Sequence, residues 1–156
     1  DLVRLTTTLG DVVVQMVSDA PITTDNFIQY VEDDFYDGTI FHRIVPGFVV
    51  QGGTFLPGNQ TPGGLRPPIQ NEFSPNRSNV RGTVAMAKLP NDPNSATAGF
   101  FFNIADNSDN LDNQNEGFTV FANVVEGLDV VDAMAAVPLN GEMPVTDIII
   151  LMAERE

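Results

Sequence analysis

Cysteine is absent from the 156 residues, which removes thiol nucleophiles, thiolate metal sites and disulfides together and leaves the redox compartment open. Long apolar runs are missing as well. The longest, 148-IIILMA-153, falls far short of the ~20 residues that a membrane helix needs, and the N-terminus lacks the pattern of a signal peptide. A soluble protein without a membrane partner is expected. Positive charge is scarce: seven Lys and Arg, with Lys88 the only lysine, stand against 21 Asp and Glu, for a net charge of −14 and a pI near 4.1. Phosphate backbones would be repelled, which sets nucleic acid aside, and the acidic surface reads as a solvated one suited to staying soluble, in high salt included.

What is present is enough for one domain. A chain of 16.9 kDa can bury roughly 70 % of its unfolded surface in a single core. Alternation in 2-LVRLTTT-8 and 12-VVVQMV-17 predicts a hairpin turning at Gly10 and Asp11. Pro21 opens a predicted helix over 21–34, with Phe27, Tyr30 and Val31 at helical spacing. Two short strands, Ile40 to Val45 and Phe48 to Gln51, follow with a bend at Pro46 and Gly47. Residues 52–68 hold five Gly and four Pro and predict a long irregular loop shaped for function. Strands resume at 82–87, 100–105 and 118–125, a second helix covers 128–137 up to Pro138, and a last strand covers 145–153. Eight strands and two helices predict a mostly β fold, an antiparallel barrel capped by helices, with no internal repeat or linker.

The chemistry-bearing residues are few. His42 has neither a nucleophile elbow nor a neighbouring acid in sequence, and strict alternation points it away from Arg43, so it reads as a structural, hydrogen-bonded core histidine. The paired glycines of QGG and PGG lack the strand-to-helix context of a phosphate loop and read as turn residues. The run 106-DNSDNLDNQNE-116 resembles a calcium loop but has Leu111 where the sharp turn needs Gly and Gly117 where a bidentate Glu belongs. It reads as a polar loop. Arg43 is the residue without an ordinary explanation, a charge in the apolar segment 41-FHRIVPGFVVQGG-53, where isolated charges are rare unless paired or employed. Phe48, Phe101 and Phe118, each taken alone, read as core.

Taken as a whole, 41-FHRIVPGFVVQGG-53 resembles the signature segment of the cyclophilins, peptidyl-prolyl cis-trans isomerases built on an eight-stranded barrel capped by two helices. The resemblance continues in family order through 71-NEF-73, 81-RGTVAMA-87, 95-SATAGFFFN-103 and 119-TVFANVVEGLDVVD-132, and includes 10-GDVVVQM-16 and 20-APITTDNFIQYV-31. It covers about residues 2–153, and the short loops with 95-SATA-98 resemble the bacterial branch. By position it implies Arg43 as the catalytic residue with Gln51 as its partner. It implies a proline pocket of Phe48, Val49, Phe101, Leu111 and Phe118, with the backbone around Ala87 and Lys88 holding an extended peptide. Val49 stands where Met is usual, Gly99 where a Gln commonly helps hold the peptide, Phe118 where His or Tyr is usual, and Asn110 where Trp or Phe is common.

The resemblance implies an enzyme of protein folding with no metal and no cofactor, acting as a monomer on proline-containing peptides and folding polypeptides. The alternative is a non-catalytic barrel that holds proline segments as a scaffold or chaperone. Asn110 implies weak cyclosporin binding, since the family's aromatic there packs on that inhibitor. A start at Asp1 without Met gives an expectation of the periplasm or another exported location, with the cytoplasm as the alternative.

Overall fold

The computed structural model describes residues 1–156. Its first hairpin follows the alternation: β1 (Leu2–Thr7) and β2 (Gly10–Met16) bury Val3, Leu5, Val12 and Val14. The turn is Thr8 and Leu9, two residues earlier than predicted. Thr7 closes it by donating its hydroxyl to the Gly10 carbonyl at 2.7 Å while accepting from the Leu9 amide. Helix α1 (Pro21–Glu32) has Pro in its first turn, but Ala20 before it offers no side-chain acceptor. The exposed amides are satisfied from a distance: Ile22 and Thr23 donate to the Glu72 carboxylate at 3.2 and 2.7 Å.

The remaining elements are β3 (Arg43–Val45), β4 (Val49–Gly52), β5 (Thr83–Met86), β6 (Phe100–Asn103), α2 (Ser108–Leu111), β7 (Val120–Glu126), α3 (Leu128–Met134), β8 (Leu139–Asn140), β9 (Met143–Pro144) and β10 (Ile150–Arg155). Eight strands form one antiparallel sheet in the order β10-β1-β2-β7-β5-β6-β4-β3, and β8 pairs only with β9. The sheet curls until its two ends meet. Phe41 donates to the Ile148 carbonyl at 3.0 Å and Ile150 to that of Thr39 at 2.8 Å, around an antiparallel bridge between Ile40 and Ile149. The predicted eight-stranded, mostly β fold with α1 and α3 as its two longer helices is the fold observed.

Differences lie where backbone pairing overrides pattern. Thr39 and Phe41 spend backbone hydrogen bonds on closing the sheet, and Ile40 between them bonds to Gly53 and Phe55 of the long loop, so β3 begins only at Arg43. For the same reason the last strand starts at Ile150, and the residues before it form the β8–β9 hairpin and an irregular return. The polar run after Asp106 is not all loop: burial of Leu111 folds 108–111 into α2, with Asp106 accepting from the Ser108 amide and hydroxyl at its start. The predicted loop begins one residue later, Gly52 being the end of β4; it is irregular apart from a short turn at Pro57–Asn59 closed by a Leu56–Gln60 bridge, and it is fastened to α1 where the Arg66 amide donates to the Tyr30 hydroxyl at 2.9 Å. Inside the curl, Phe27 packs on Tyr36, Phe100 and Phe121 with ring centroids 4.9–5.6 Å apart, and each such buried ring contributes about 1.5–3 kcal/mol.

Candidate active site

Period-two alternation sorts β3, β4 and β6 into two faces. Ile44, Val50, Phe100 and Phe102 point into the main core, while Arg43, Val49, Gln51 and Phe101 point out. Register then aligns the outward set: Arg43 opposes Gln51, Gln51 opposes Phe101, Phe101 opposes Ala85, and Ala85 opposes Val120. One cross-strand row thus runs from a guanidinium to an apolar floor. A second, smaller apolar cluster covers that floor, made of Val49, Ala85, Phe101, Leu111 and Val120 with Phe48, Ala87 and Phe118 at its margin.

The result is an open cleft of about 410 Å³ lined by Arg43, Phe48, Val49, Gln51, Ala87, Lys88, Pro90, Asn91, Phe101, Leu111, Gln114, Asn115 and Phe118. None of these is acidic, in a chain with 21 carboxylates. Phe101 and Phe118 meet edge to face with centroids 5.9 Å apart, a geometry that suits their quadrupoles. Lys88 crosses the Phe118 ring at 4.5 Å and donates to the carbonyls of Asn115 and Gly117, both at 2.7 Å. Those two carbonyls lie in a run of three successive residues at positive φ, Asn115 (52°), Glu116 (61°) and Gly117 (81°). The ammonium therefore fastens a loop whose backbone is strained at its two non-glycine members. Burial is the main cause that lowers the Lys88 pKa.

Arg43 is held at two of its three nitrogens. Nε donates to Glu142 Oε1 at 3.0 Å and Nη1 to Gln51 Oε1 at 3.4 Å. His42, next to it, lies outside the cleft lining, packed edge-on against Phe55 with ring centroids 4.8 Å apart. The hydrogen bond expected for this histidine is not found at Nδ1, which is buried without a partner. Burial, and secondarily the Arg43 charge, lower its pKa below the ordinary 6.5, which favours the neutral ring.

Of the residues singled out in the sequence, Arg43, Phe48, Val49, Gln51, Ala87, Lys88, Phe101, Leu111 and Phe118 meet in the cleft, whereas Gly99 and Asn110 do not line it. Asn110 sits on α2 and accepts from the Gln114 side chain. Sequence reasoning missed Pro90, Asn91, Gln114, Asn115 and Glu142. It also missed a buried amide network behind the wall. Asn107 donates to the Phe48 carbonyl and to Asn103 Oδ1, both at 2.9 Å; Asn103 donates to Asn79; and Asn79 donates to the Phe118 carbonyl at 3.0 Å. Both aromatic rims are thereby fixed through their backbones. The only signal was Asn103 at the end of the otherwise apolar 100-FFFN-103.

The fold and site together define an antiparallel β-barrel with an apolar surface cleft and one guanidinium at its rim. Residues 2–155 match the family described as cyclophilin type peptidyl-prolyl cis-trans isomerase. The chain is 42% identical over 160 residues to peptidyl-prolyl cis-trans isomerase B of Escherichia coli, with 96% of each chain covered. It is 45% identical over 141 residues to a peptidyl-prolyl cis-trans isomerase of Acinetobacter baylyi, covering 89% of this chain and 74% of that one. A cyclophilin of Cryptosporidium parvum, crystallised in the presence of the dipeptide Ala-Pro, shares the fold with a TM-score of 0.83 at 22% identity, covering 98% and 97% of the two chains. The chain belongs to the cyclophilin-type peptidyl-prolyl cis-trans isomerases.

Proposed function

We propose that the cleft binds a proline-containing segment and that Arg43 accelerates rotation about its X-Pro bond. The observation that carries this is the cross-strand row, which sets the Arg43 guanidinium beside Gln51 and Phe101 at the edge of an apolar cleft. Amide resonance gives that bond a barrier of about 18–20 kcal/mol. Twisting it breaks the resonance, so the proline nitrogen becomes pyramidal and regains a lone pair. A guanidinium N–H aimed at that nitrogen stabilises the twisted state and leaves the planar ground state almost untouched. Phe48, Phe101, Leu111 and Phe118 grip the pyrrolidine ring while the preceding carbonyl swings. No proton is transferred and no covalent bond forms or breaks. A gain of about 10⁵ in rate asks for roughly 7 kcal/mol of differential stabilisation, within reach of preorganised charge and orientation in a small cleft.

Folding polypeptides with exposed X-Pro bonds are the substrates this reading supports. The experiment is a protease-coupled assay on an X-Pro peptide with wild type and Arg43→Ala. The variant is expected to keep the fold and to lose about 10²–10³ in kcat/KM, the scale of deleting one preorganised donor. Arg43→Lys is expected to lose most activity too, because a point charge lacks the fork that Gln51 orients. Near-normal turnover by Arg43→Ala would sink the mechanism. Wild-type turnover at the background rate, with peptide binding retained, would make the cleft a receptor for proline segments instead.

A further inference from the structure

We propose that Glu142 is a positioning residue for Arg43, fixing the guanidinium from outside the cleft so that Nη2 is the nitrogen presented to the substrate. The proposal rests on the reading in which Arg43 acts on the proline nitrogen. Arg43 lies on β3, the last strand in the sheet order and only three residues long. With β4 on one side, its other side would be bare were it not for the β8–β9 hairpin. That hairpin turns through Gly141, at φ 65°, and Glu142, and it is seated by Leu139 against the main core and by the buried Pro144. Glu142 then holds β3 twice. Its carbonyl accepts from the Ile44 amide at 2.6 Å, and its carboxylate accepts from Arg43 Nε at 3.0 Å.

An arginine side chain without partners samples many rotamers, and a small misplacement of a catalytic group is enough to lose rate. The Gln51 bond alone, at 3.4 Å, is a long one. A charge-assisted bond to Nε adds a second fixed point on the opposite side of the guanidinium, and two points set the plane. Nη2 is the one nitrogen left without an acceptor in the protein. The carboxylate has an opposing effect, since its charge offsets that of the guanidinium. If electrostatics alone governed, removing Glu142 would raise activity; positioning requires that activity fall. Both groups are partly exposed, at 39% and 57%, so the pair contributes little to the stability of the fold.

Glu142→Ala, Glu142→Gln and Glu142→Asp are compared with wild type and Arg43→Ala in the X-Pro assay, and the Arg43 Nε–H resonance is followed in ¹H–¹⁵N spectra. Glu142→Ala is expected to lower kcat about tenfold with KM within about twofold, and to lose the protected Nε–H signal. Glu142→Gln, which keeps an acceptor, is expected to restore kcat to within about twofold of wild type, and Glu142→Asp, one methylene short, to fall between. If Glu142→Ala or Glu142→Gln fails to fold, Glu142→Asp carries the test through the same kcat and Nε–H readouts. Wild-type or higher kcat in Glu142→Ala, beside an inactive Arg43→Ala, overturns the role of Glu142 alone. Full activity in Arg43→Ala overturns the reading of the site and this proposal with it, so the two failures are told apart by one variant.

Discussion

The Thr54 side-chain oxygen stands 2.5 Å from where a Cβ on Gly99 would lie. Gly99 is therefore matched by a neighbour that has moved into the space a side chain would claim. Gly99→Gln alone is expected to cost about 1–3 kcal/mol through overpacking. Pairing it with Thr54→Gly is expected to restore stability and lower KM for an X-Pro peptide. Thermal unfolding and steady-state kinetics on the two variants check this, and a single variant with wild-type Tm would show that Thr54 simply rotates away.

A histidine held neutral by burial should reveal itself in stability and not in turnover. Because the folded state lowers the His42 pKa below 6.5, the unfolded chain binds its proton first as pH falls, so this group favours folding above about pH 6.5 and opposes it below. Asp106 and Asp132, held below the usual carboxylate range by hydrogen bonds to Ser108 and Arg81, also lose their contribution as pH falls and are common to wild type and any His42 variant. The measurement is thus a difference: between pH 7.5 and 5.5 wild type is expected to lose Tm relative to His42→Gln. Meanwhile kcat/KM should be flat from about pH 6 to 8. A bell-shaped rate profile in that interval would make His42 a participant.

All six arginines pair with carboxylates, using nine of the 21, and twelve carboxylates have no cationic partner. Salt weakens the exposed pairs, worth about 0–1 kcal/mol each at most, and it also screens the repulsion among the rest. With a net charge of −14 the second effect is expected to win. Raising NaCl from 0.05 to 1 M should lift Tm by about 3 °C or more, the shift that roughly 1 kcal/mol produces in a domain of this size. A Tm that falls with salt would show that the arginine pairs dominate.

Cyclosporin should bind weakly. Asn110 lies on α2 outside the cleft lining, with its oxygen engaged by Gln114, and offers nothing like the 150–250 Å² of contact that a large aromatic provides. Titration calorimetry is expected to show a clear gain in affinity for Asn110→Trp over wild type, with X-Pro turnover retained in both. Nanomolar binding by the wild type, or no gain in the variant, would remove Asn110 from that role.

Legibility of the site followed how local each cause is. Arg43 stood out because a charge within apolar neighbours violates a rule that operates residue by residue, and 100-FFFN-103 revealed a strand by its composition alone. Alternation could not say which phenylalanine faces the cleft until β4 fixed the register of Phe101 against Gln51. Glu142 was invisible because it meets Arg43 across 99 residues of chain, and strands of two residues such as β8 and β9 are too short to show a period. The partners of Lys88 are backbone carbonyls, which have no sequence signature. Nothing in the sequence links Asn79, Asn103 and Asn107, and only their mutual bonds make them a frame.

Closure of the barrel also sets an order in time. The residues leading into β3 are tied to Ile148 and Ile150, so a chain emerging from a ribosome carries Arg43, Gln51 and Phe101 long before it carries what steadies them. Contacts of such sequence separation form late and slowly. The cleft is therefore completed only once synthesis has passed residue 150. Until then a nascent chain lacks both the strand pairing that closes the barrel and a complete set of partners around Arg43.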